Sequence, residues 1–248
     1  MALDVLHQAG VLRARFPKPE AQEPPEAVLV NTAGGLTGGD KLDIDVKLGE
    51  GTSLTVTSAA AEKIYRARDG EAAIRLHLDL ASGARLSWLP QPTILFDAAR
   101  FDRRTEVDLA AGAHFLAVEM LIFGRAAMGE DVHRGFCRDT WRVRREGRLA
   151  FADSLLLDGA IAETLDRPAA LSGTRATALI LYAGANAAAR LEPARALLEG
   201  VRSTVGMSSW NGLLVARGYA SDGRTLQGDL APLLEFLAAR PLPRVWRC

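Results

Sequence analysis

The chain lacks the features that would place it at once among secreted, membrane or disulfide-rich proteins. It has only two cysteines in 248 residues, Cys137 and Cys248, too few for a disulfide framework, and we expect both to be reduced thiols. No apolar run approaches the roughly 18 uncharged residues of a membrane-spanning helix. The N-terminus has an acid at Asp4 and no apolar signal-peptide core. The sequence therefore predicts a cytoplasmic protein.

An excess of charge of one sign is also missing. Lysine plus arginine and aspartate plus glutamate both number 30, so the formal net charge is zero. This balance argues against a nucleic-acid-binding or membrane-surface protein dominated by a basic face. With 48% hydrophobic residues the chain can bury a large core, and no segment looks like an interdomain linker. We expect one domain over residues 1–248.

What the sequence does contain is a repeating β pattern. Segments in which apolar and polar residues alternate occur in pairs around short turns, and the turn glycines lie about 30 residues apart. Because one such unit cannot bury its apolar face alone, successive units must stack. The units are Leu42–Ser58, Ile74–Leu89, Thr105–Glu119 and Trp141–Phe151, with turns at Gly51, Gly83, Gly112 and Gly147.

These units predict a mostly β fold of stacked antiparallel β-units, close to a β-helix or a large distorted sandwich. Two short helices are expected near the C-terminus. Glu192–Thr204 has Pro193 in its first turn and one apolar face. Asp229–Arg240 begins at a capping aspartate and stops before Pro241. Between them, Trp210–Tyr219 predicts one further core strand.

The most unusual stretch is the glycine loop, Val28–Asp40 (VLVNTAGGLTGGD). Its glycine pairs, Gly34–Gly35 and Gly38–Gly39, predict a tightly folded backbone that other groups approach closely. No Lys-Ser/Thr pair follows, and the residues after Asp40 predict a strand instead of a helix, so the loop is not a phosphate cradle. Asp40 is its one ionisable group.

Compact catalytic and metal-binding motifs are absent from the sequence. There is no HExxH, no CxxC, no serine nucleophile elbow and no glycine fingerprint before a helix. His133 and Cys137 (HRGFC) could form a soft-metal pair, although a loop histidine and a half-buried cysteine are the more ordinary interpretation. Glu62, Lys63 and Tyr65 form an acid–base–phenol trio that we interpret as an ordered turn. The lack of a compact set favours a binding or scaffold role.

Two further polar stretches are candidates for function. Gly124–Asp131 (GRAAMGED) could bring a cation, a thioether and two carboxylates to one edge of the fold, or could be an ordinary polar turn. Pro90–Asp97 predicts an apolar strand, followed by mixed charges that we expect to form a solvated face. The charged residues are Asp97, Arg100, Asp102, Arg103 and Arg104.

Five stretches, in this order along the chain, resemble one known family. They are VNTAGGLTGGD at Val30–Asp40, TSAAAEKIYRA at Thr57–Ala67, LPQPTILFDAARFDRRTEVDL at Leu89–Leu109, EMLIFGRAAMGE at Glu119–Glu130 and PLPRVWRC at Pro241–Cys248. Together they are similar to the urease accessory proteins of the UreD family, also called UreH. The resemblance covers nearly the whole chain, and the glycine loop and FGRAAMGE are its most specific motifs.

The resemblance implies a non-catalytic maturation factor with a β-helix-like core and a couple of helices. Members of the family join UreF and the GTPase UreG on the urease apoprotein, and the complex delivers nickel to the urease active site. The resemblance also implies a tunnel for nickel, so that nickel is transient cargo and no cofactor is bound tightly. The resemblance does not identify the residues that bind the metal, and it leaves open whether two such complexes form a dimer.

Under this interpretation the glycine loop lines or shapes the nickel conduit. Its candidate residues are Asn31, Thr32, Gly34, Gly35, Gly38, Gly39 and Asp40, and the candidates for the nickel path are Asp40, Asp97, Arg125 and Glu130. Family members often carry an acid where this chain has Pro92, which places Pro92 outside any metal site. This chain also carries Cys248 at its C-terminal position, where family members more commonly have an apolar residue.

The residues alone are also compatible with two other classes of protein. A metal-dependent or carbohydrate-active β-helix enzyme would need two carboxylates at catalytic distance on one face. A metal-free β-solenoid binding module would tolerate Asp40→Ala and would show no nickel-dependent change in any assay.

Overall fold

A computed structural model describes residues 3–18, 24–125 and 128–247, and the terminal Cys248 lies outside these ranges. The strands are β1 (Leu12–Arg15), β2 (Glu26–Asn31), β3 (Lys41–Leu48), β4 (Ser53–Ser58), β5 (Glu62–Ile64), β6 (Ala72–Leu80), β7 (Arg85–Leu89), β8 (Thr93–Leu95), β9 (Arg100–Leu109), β10 (His114–Phe123), β11 (Arg134–Arg145), β12 (Arg148–Ala160), β13 (Ala176–Ala183), β14 (Thr204–Trp210) and β15 (Leu213–Ala220). The helices are α1 (Ile161–Asp166), α2 (Leu191–Ala196) and α3 (Gly223–Ala238), with 3₁₀ turns at Ala188–Arg190 and Arg244–Trp246.

Two sheets form the body of the protein. The first has the strand order β1-β2-β4-β7-β10-β13-β15-β14, and β8 joins it on β10 and carries β5 on its other side. The second has the order β12-β11-β9-β6-β3. The prediction of a mostly β protein built from stacked units is confirmed.

The pairing between units differs from a stack of hairpins. The two strands around Gly51, Gly83 and Gly112 lie in different sheets, and matching strands of successive units pair in parallel, as β3, β6 and β9 do. Each unit is therefore one coil of a solenoid. Of these four turn glycines, Gly147 alone closes an antiparallel hairpin, β11–β12. Alternation of apolar and polar residues indicates a half-buried strand, but it does not determine which other strand that strand pairs with.

Three apolar clusters fill the fold. One lies between the sheets near the turn glycines and includes Phe115, and a second lies between the sheets at the other end of the same strands and includes Phe101. The third covers the opposite face of the first sheet, where Leu230 of α3 packs. Because β10 is buried on both faces, its sequence is a nearly continuous apolar run.

The C-terminal part contains both expected helices with shifted ends. Helix α3 begins earlier than predicted, because the carboxylate of Asp222 accepts a hydrogen bond from Thr225 N at 2.8 Å and caps it. Asp229 lies inside the helix, and its carboxylate accepts a hydrogen bond from Ser203 N. The helix ends before Pro241, as predicted. No helix in the described ranges is long and apolar enough to cross a membrane.

Two other features of this part were not predicted. Helix α1 follows β12 directly. The segment expected as one strand at Trp210–Tyr219 is the end of β14, a turn at Asn211 and Gly212, and β15. Both turn residues have positive φ, 49° and 71°, as the two central positions of a tight hairpin turn require. The Asn-Gly dipeptide is the sequence signal for this turn.

Candidate functional site

The glycine loop folds against β5 and the segment that follows it. Leu36 N donates to Lys63 O at 2.7 Å, and Leu36 O accepts from Tyr65 N at 2.7 Å. A Cβ on Gly35 would lie 2.4 Å from the Tyr65 ring, and one on Gly38 would lie 2.2 Å from Asp69 O. These two positions require glycine because neighbouring chain occupies the space of a side chain.

Asp40 ties the end of this loop to its middle. Its Oδ2 accepts a hydrogen bond from Thr37 N at 2.8 Å, and its backbone N–H donates to Thr37 O at 3.1 Å. The carboxylate is exposed on the surface. In this position Asp40 acts on the loop as a turn-closing acceptor.

We predict that Asp40→Ala costs about 1 kcal/mol of unfolding free energy, the usual net value of one such hydrogen bond. Urea unfolding would measure the loss. Asp43→Ala is the matched control, since Asp43 is exposed on the adjoining strand β3. Equal losses in both variants would contradict a specific role of Asp40 in the loop.

A first cavity of about 150 Å³ begins at the glycine loop and runs between the sheets. Asn31 and Gly34 line one part of it, and Glu119 lines another. Glu62 also lines this cavity, and Asn31 Nδ2 donates to its Oε1 at 3.0 Å and its Oε2 at 3.2 Å. Burial raises the pKa of Glu62 even though this amide hydrogen bond favours the charged form.

A buried ion-pair cluster lies where the two inter-sheet apolar clusters meet. Arg103 donates from Nε to Asp139 Oδ1 at 3.1 Å and from Nη2 to Asp139 Oδ2 at 2.6 Å. Its Nη1 donates to Glu119 Oε2, and Trp88 Nε1 donates to Glu119 Oε1 at 2.9 Å. Arg103 is 3% exposed, Glu119 5% and Asp139 8%. We call Arg103, Glu119 and Asp139 the acid–arginine junction.

The junction has one guanidinium for two carboxylates in a site with little access to water. Burial raises the pKa of the Glu119 carboxyl, although the nearby Arg103 charge and the Trp88 hydrogen bond act in the opposite direction. Burial also raises the pKa of the neighbouring Cys137 thiol to about 12. At neutral pH, Cys137 is therefore protonated.

A second cavity, of about 340 Å³, lies on the other side of the junction. Glu119 lines both cavities, and Asp139 and Trp141 line the second. Arg217 and Asp153 also line the second cavity, and they form an ion pair between the two sheets, with 2.9 Å between Arg217 Nη2 and Asp153 Oδ1. The acid–arginine junction thus borders both cavities, one toward β2 and β3 and the other toward β12 and β13.

The residues predicted for a nickel path lie elsewhere. Asp40, Asp97, Arg125 and Glu130 line neither of these two cavities. Asp97 accepts a hydrogen bond from Arg134 N at 3.1 Å. Arg125 pairs with Glu130 and lies 4.1 Å over the ring of Phe96. Residues 126 and 127 of the GRAAMGED stretch lie outside the described residues. Pro92 is buried next to β8.

The mixed charges around Asp102 are not a fully solvated face, which corrects the expectation from sequence. Arg103 faces the interior, and Asp102 is 7% exposed beneath Arg75 and Arg138, which both pair with it. His133 and Cys137 do not form a metal pair, because His133 is exposed and Cys137 is fully buried. In the described ranges, no three His, Cys, Asp or Glu side chains are grouped so that they could hold a metal ion.

Glu119 and Asp139 were missed from sequence, although a signal was available. In strand β9, alternation places Phe101, Arg103 and Thr105 on one face, so the arginine occupies an apolar position. Glu119 likewise interrupts the buried run of β10, and Asp139 lies between two buried apolar positions of β11. A charge at an inward position of three strands indicates a shared interior site.

The fold and the site define a β-solenoid with an apolar interior that holds one buried ion-pair cluster beside two cavities, and no three-residue metal site among the described residues. The profile of the family described as UreD urease accessory protein matches residues 1–247. The chain is 49% identical over 243 residues to a urease accessory protein UreD of Rhodopseudomonas palustris strain HaA2, covering 97% of this chain and 86% of that one. It is also 49% identical to a protein of that name from Xanthobacter autotrophicus, covering 97% and 83%, and 48% identical to one from Azorhizobium caulinodans, covering 96% and 88%. The chain therefore belongs to the UreD family of urease accessory proteins, whose role lies in urease maturation.

Proposed function

We propose that this protein is a cytoplasmic, non-catalytic urease maturation factor that helps to deliver nickel to the urease active site. It acts on the urease apoprotein together with UreF and the GTPase UreG, and nickel is its transient cargo. The two cavities, both bordered by Glu119, are the route of the ion. The glycine loop shapes one end of that route through Asn31 and Gly34.

The observation that carries this proposal is the pair of cavities bordered by buried carboxylates. A conduit for a divalent cation needs a few spaced oxygen ligands, because a tight and complete ligand set would retain the ion. Glu62, Glu119 and Asp139 supply such oxygens along the two cavities. The lack of a grouped three-ligand site among the described residues agrees with transit instead of storage.

An enzymatic role for the same carboxylates is less well supported. A glycosidase needs two carboxylates that flank a bound sugar, one to donate a proton and the other to act on the sugar carbon or on water. Here Glu119 and Asp139 both bind the same guanidinium and are nearly inaccessible.

We predict that Glu119→Gln lowers urease activation on the order of tenfold, the scale expected when one group that supports metal binding is lost. The variant would be co-expressed with the urease subunits and the other accessory proteins. Urease activity and nickel per urease would then be measured. Gln keeps the size of the side chain, but its single carbonyl oxygen can accept from Trp88 Nε1 or from Arg103 Nη1 and not from both, so the change removes the charge and one hydrogen bond.

The matched control is Glu50→Gln, which changes an exposed acid at a turn. The proposed route fails if Glu119→Gln joins the maturation complex and activates urease as well as this control does. The wider function fails if deletion of the whole chain leaves urease activity and nickel content unchanged. A metal-free binding module predicts a requirement for the chain but no dependence of nickel content on Glu119.

A further inference from the structure

We propose that the second cavity is a binding site for a small uncharged molecule that has an apolar body and a carbonyl oxygen. The oxygen accepts a hydrogen bond from the indole N–H of Trp141, and the body packs among leucine side chains. Binding there is independent of the proposed nickel route.

The indole of Trp141 is a buried donor that the protein leaves without an acceptor. Trp141 is 2% exposed and lines the second cavity, and its Nε1 has no hydrogen-bond partner among the described residues. By contrast, the indole Nε1 of Trp88 donates to Glu119, and that of Trp246 donates to Leu89 O at 2.8 Å. Since a buried N–H is costly to leave unpaired, we expect an acceptor beside Trp141 in the cavity.

A second unsatisfied polar group lies next to this indole. Thr105 of β9 is the register partner of Trp141 in the parallel pairing of β9 with β11, and both side chains are buried on the inward face. Thr105 Oγ1 likewise has no partner in the described part of the chain. A carbonyl oxygen has two lone pairs, so one ligand atom is able to accept from the indole and from the hydroxyl. Two neighbouring donors therefore favour a carbonyl group.

The rest of the second cavity fits an apolar body. Most of the side chains on its walls are apolar, and the leucines of β12, α1, the segment after α1 and β13 are Leu155, Leu157, Leu165, Leu171 and Leu179. Its volume of about 340 Å³ is roughly twice that of an apolar cavity of about 150 Å³ that holds benzene. A bicyclic molecule, with about twice the heavy atoms of benzene, is therefore of the expected size.

The charged groups on the cavity walls do not favour an ionic ligand. The carboxylates of Glu119 and Asp139 already bind Arg103, and that of Asp153 binds Arg217. An added anion would meet three carboxylates, and an added cation would have to displace an arginine. An uncharged ligand meets neither obstacle.

The cavity has an entrance at the protein surface. The side chains of Arg217 and Asp153 are 54% and 31% exposed, and both line the cavity. Ser154 and Ala170 also line it and are exposed. A small molecule therefore has a way in between β12 and the segment that follows α1.

The test compares two probes by ligand-observed NMR on the full chain: α-tetralone, a bicyclic ketone, and tetralin, the matching hydrocarbon. Tetralin is the less soluble in water, so the hydrophobic effect alone would favour its binding. We expect the unaltered chain to bind the ketone at least as tightly, because only the ketone accepts from Trp141.

Trp141→Phe should weaken binding of α-tetralone about tenfold, the scale of one hydrogen bond to a buried group, and leave binding of tetralin nearly unchanged. Trp210→Phe is the matched control, since Trp210 is an exposed tryptophan of β14 that lines neither of the two cavities. It should leave both dissociation constants unchanged.

Circular dichroism would establish that each variant is folded. If Trp141→Phe is not, Leu171→Trp decides the matter, because the larger side chain on the cavity wall should fill the space and weaken binding of both probes. The inference is overturned if α-tetralone does not bind the unaltered chain, which would leave water alone in the cavity, or if tetralin binds more tightly than the ketone. It is also overturned if the ketone binds a folded Trp141→Phe or Leu171→Trp chain as well as it binds the control.

Failure of the proposed function is separate. It would appear as normal urease activation by Glu119→Gln, whatever the binding experiment shows.

Discussion

An Arg103→Met chain is expected to be less stable than the unaltered chain by about 4 kcal/mol, the scale at which removal of one partner breaks a buried ion pair. Methionine fills part of the space but leaves the carboxylates of Glu119 and Asp139 buried without their cation. Loss of this charge costs far more than loss of a surface arginine, because the nearly complete burial of Glu119 and Asp139 limits how far water can replace the guanidinium. The free energy of unfolding in urea would measure the effect.

The control is Arg142→Met on the exposed face of β11, which should change stability by less than about 0.5 kcal/mol. A triple variant, Arg103→Met with Glu119→Gln and Asp139→Asn, should recover much of the loss, since it removes the unpaired charges. If Arg103→Met costs no more than Arg142→Met, the junction is not a buried ion-pair cluster in solution.

Gly38→Ala is the second substitution with a large expected effect. We expect it to lower the free energy of unfolding by about 3 kcal/mol, the upper end of the range for extra atoms inserted into a filled space. The added Cβ would lie 2.2 Å from Asp69 O and 2.9 Å from the Ala67 Cβ. Both obstacles belong to the backbone or lie next to it, so no flexible side chain can move aside. The loop or the segment after β5 must therefore shift.

Gly206→Ala is the matched control, because a Cβ there meets nothing within 4 Å on strand β14. It should be neutral or slightly stabilising, since alanine loses less backbone entropy than glycine on folding. The melting temperatures of both variants would be compared by circular dichroism. Equal melting temperatures would show that the loop accommodates a side chain and that its glycines serve no close approach.

The solenoid could be predicted from the sequence because its signal is local and repeated. Alternation marked the strands, and Gly51, Gly83 and Gly112 marked the turns. The partner of each strand could not be predicted in the same way. A tight turn can return a strand to its own sheet or pass it to the facing one, and only the packing of successive coils decides between them.

The candidate site was predicted only in part. Asn31 and Gly34 were selected for their unusual composition, and they do line the first cavity. Asp40 was selected as the one charge in the loop, but it lies at the surface and closes a turn. Composition identifies a special backbone, whereas the direction of a side chain depends on the neighbouring strands.

The sequence by itself determined the family, the mostly β character and the tightly folded glycine loop, because each follows from residues that are near one another in the chain. Only the tertiary structure decided that Arg103, Glu119 and Asp139 form one buried junction between two cavities. They come from three strands, and the alternation within each strand marks an inward charge but, at sequence separations of 16 and 36 residues, does not say which charges meet. Their common property is an inward position in adjacent coils, and that position exists only once the coils have stacked.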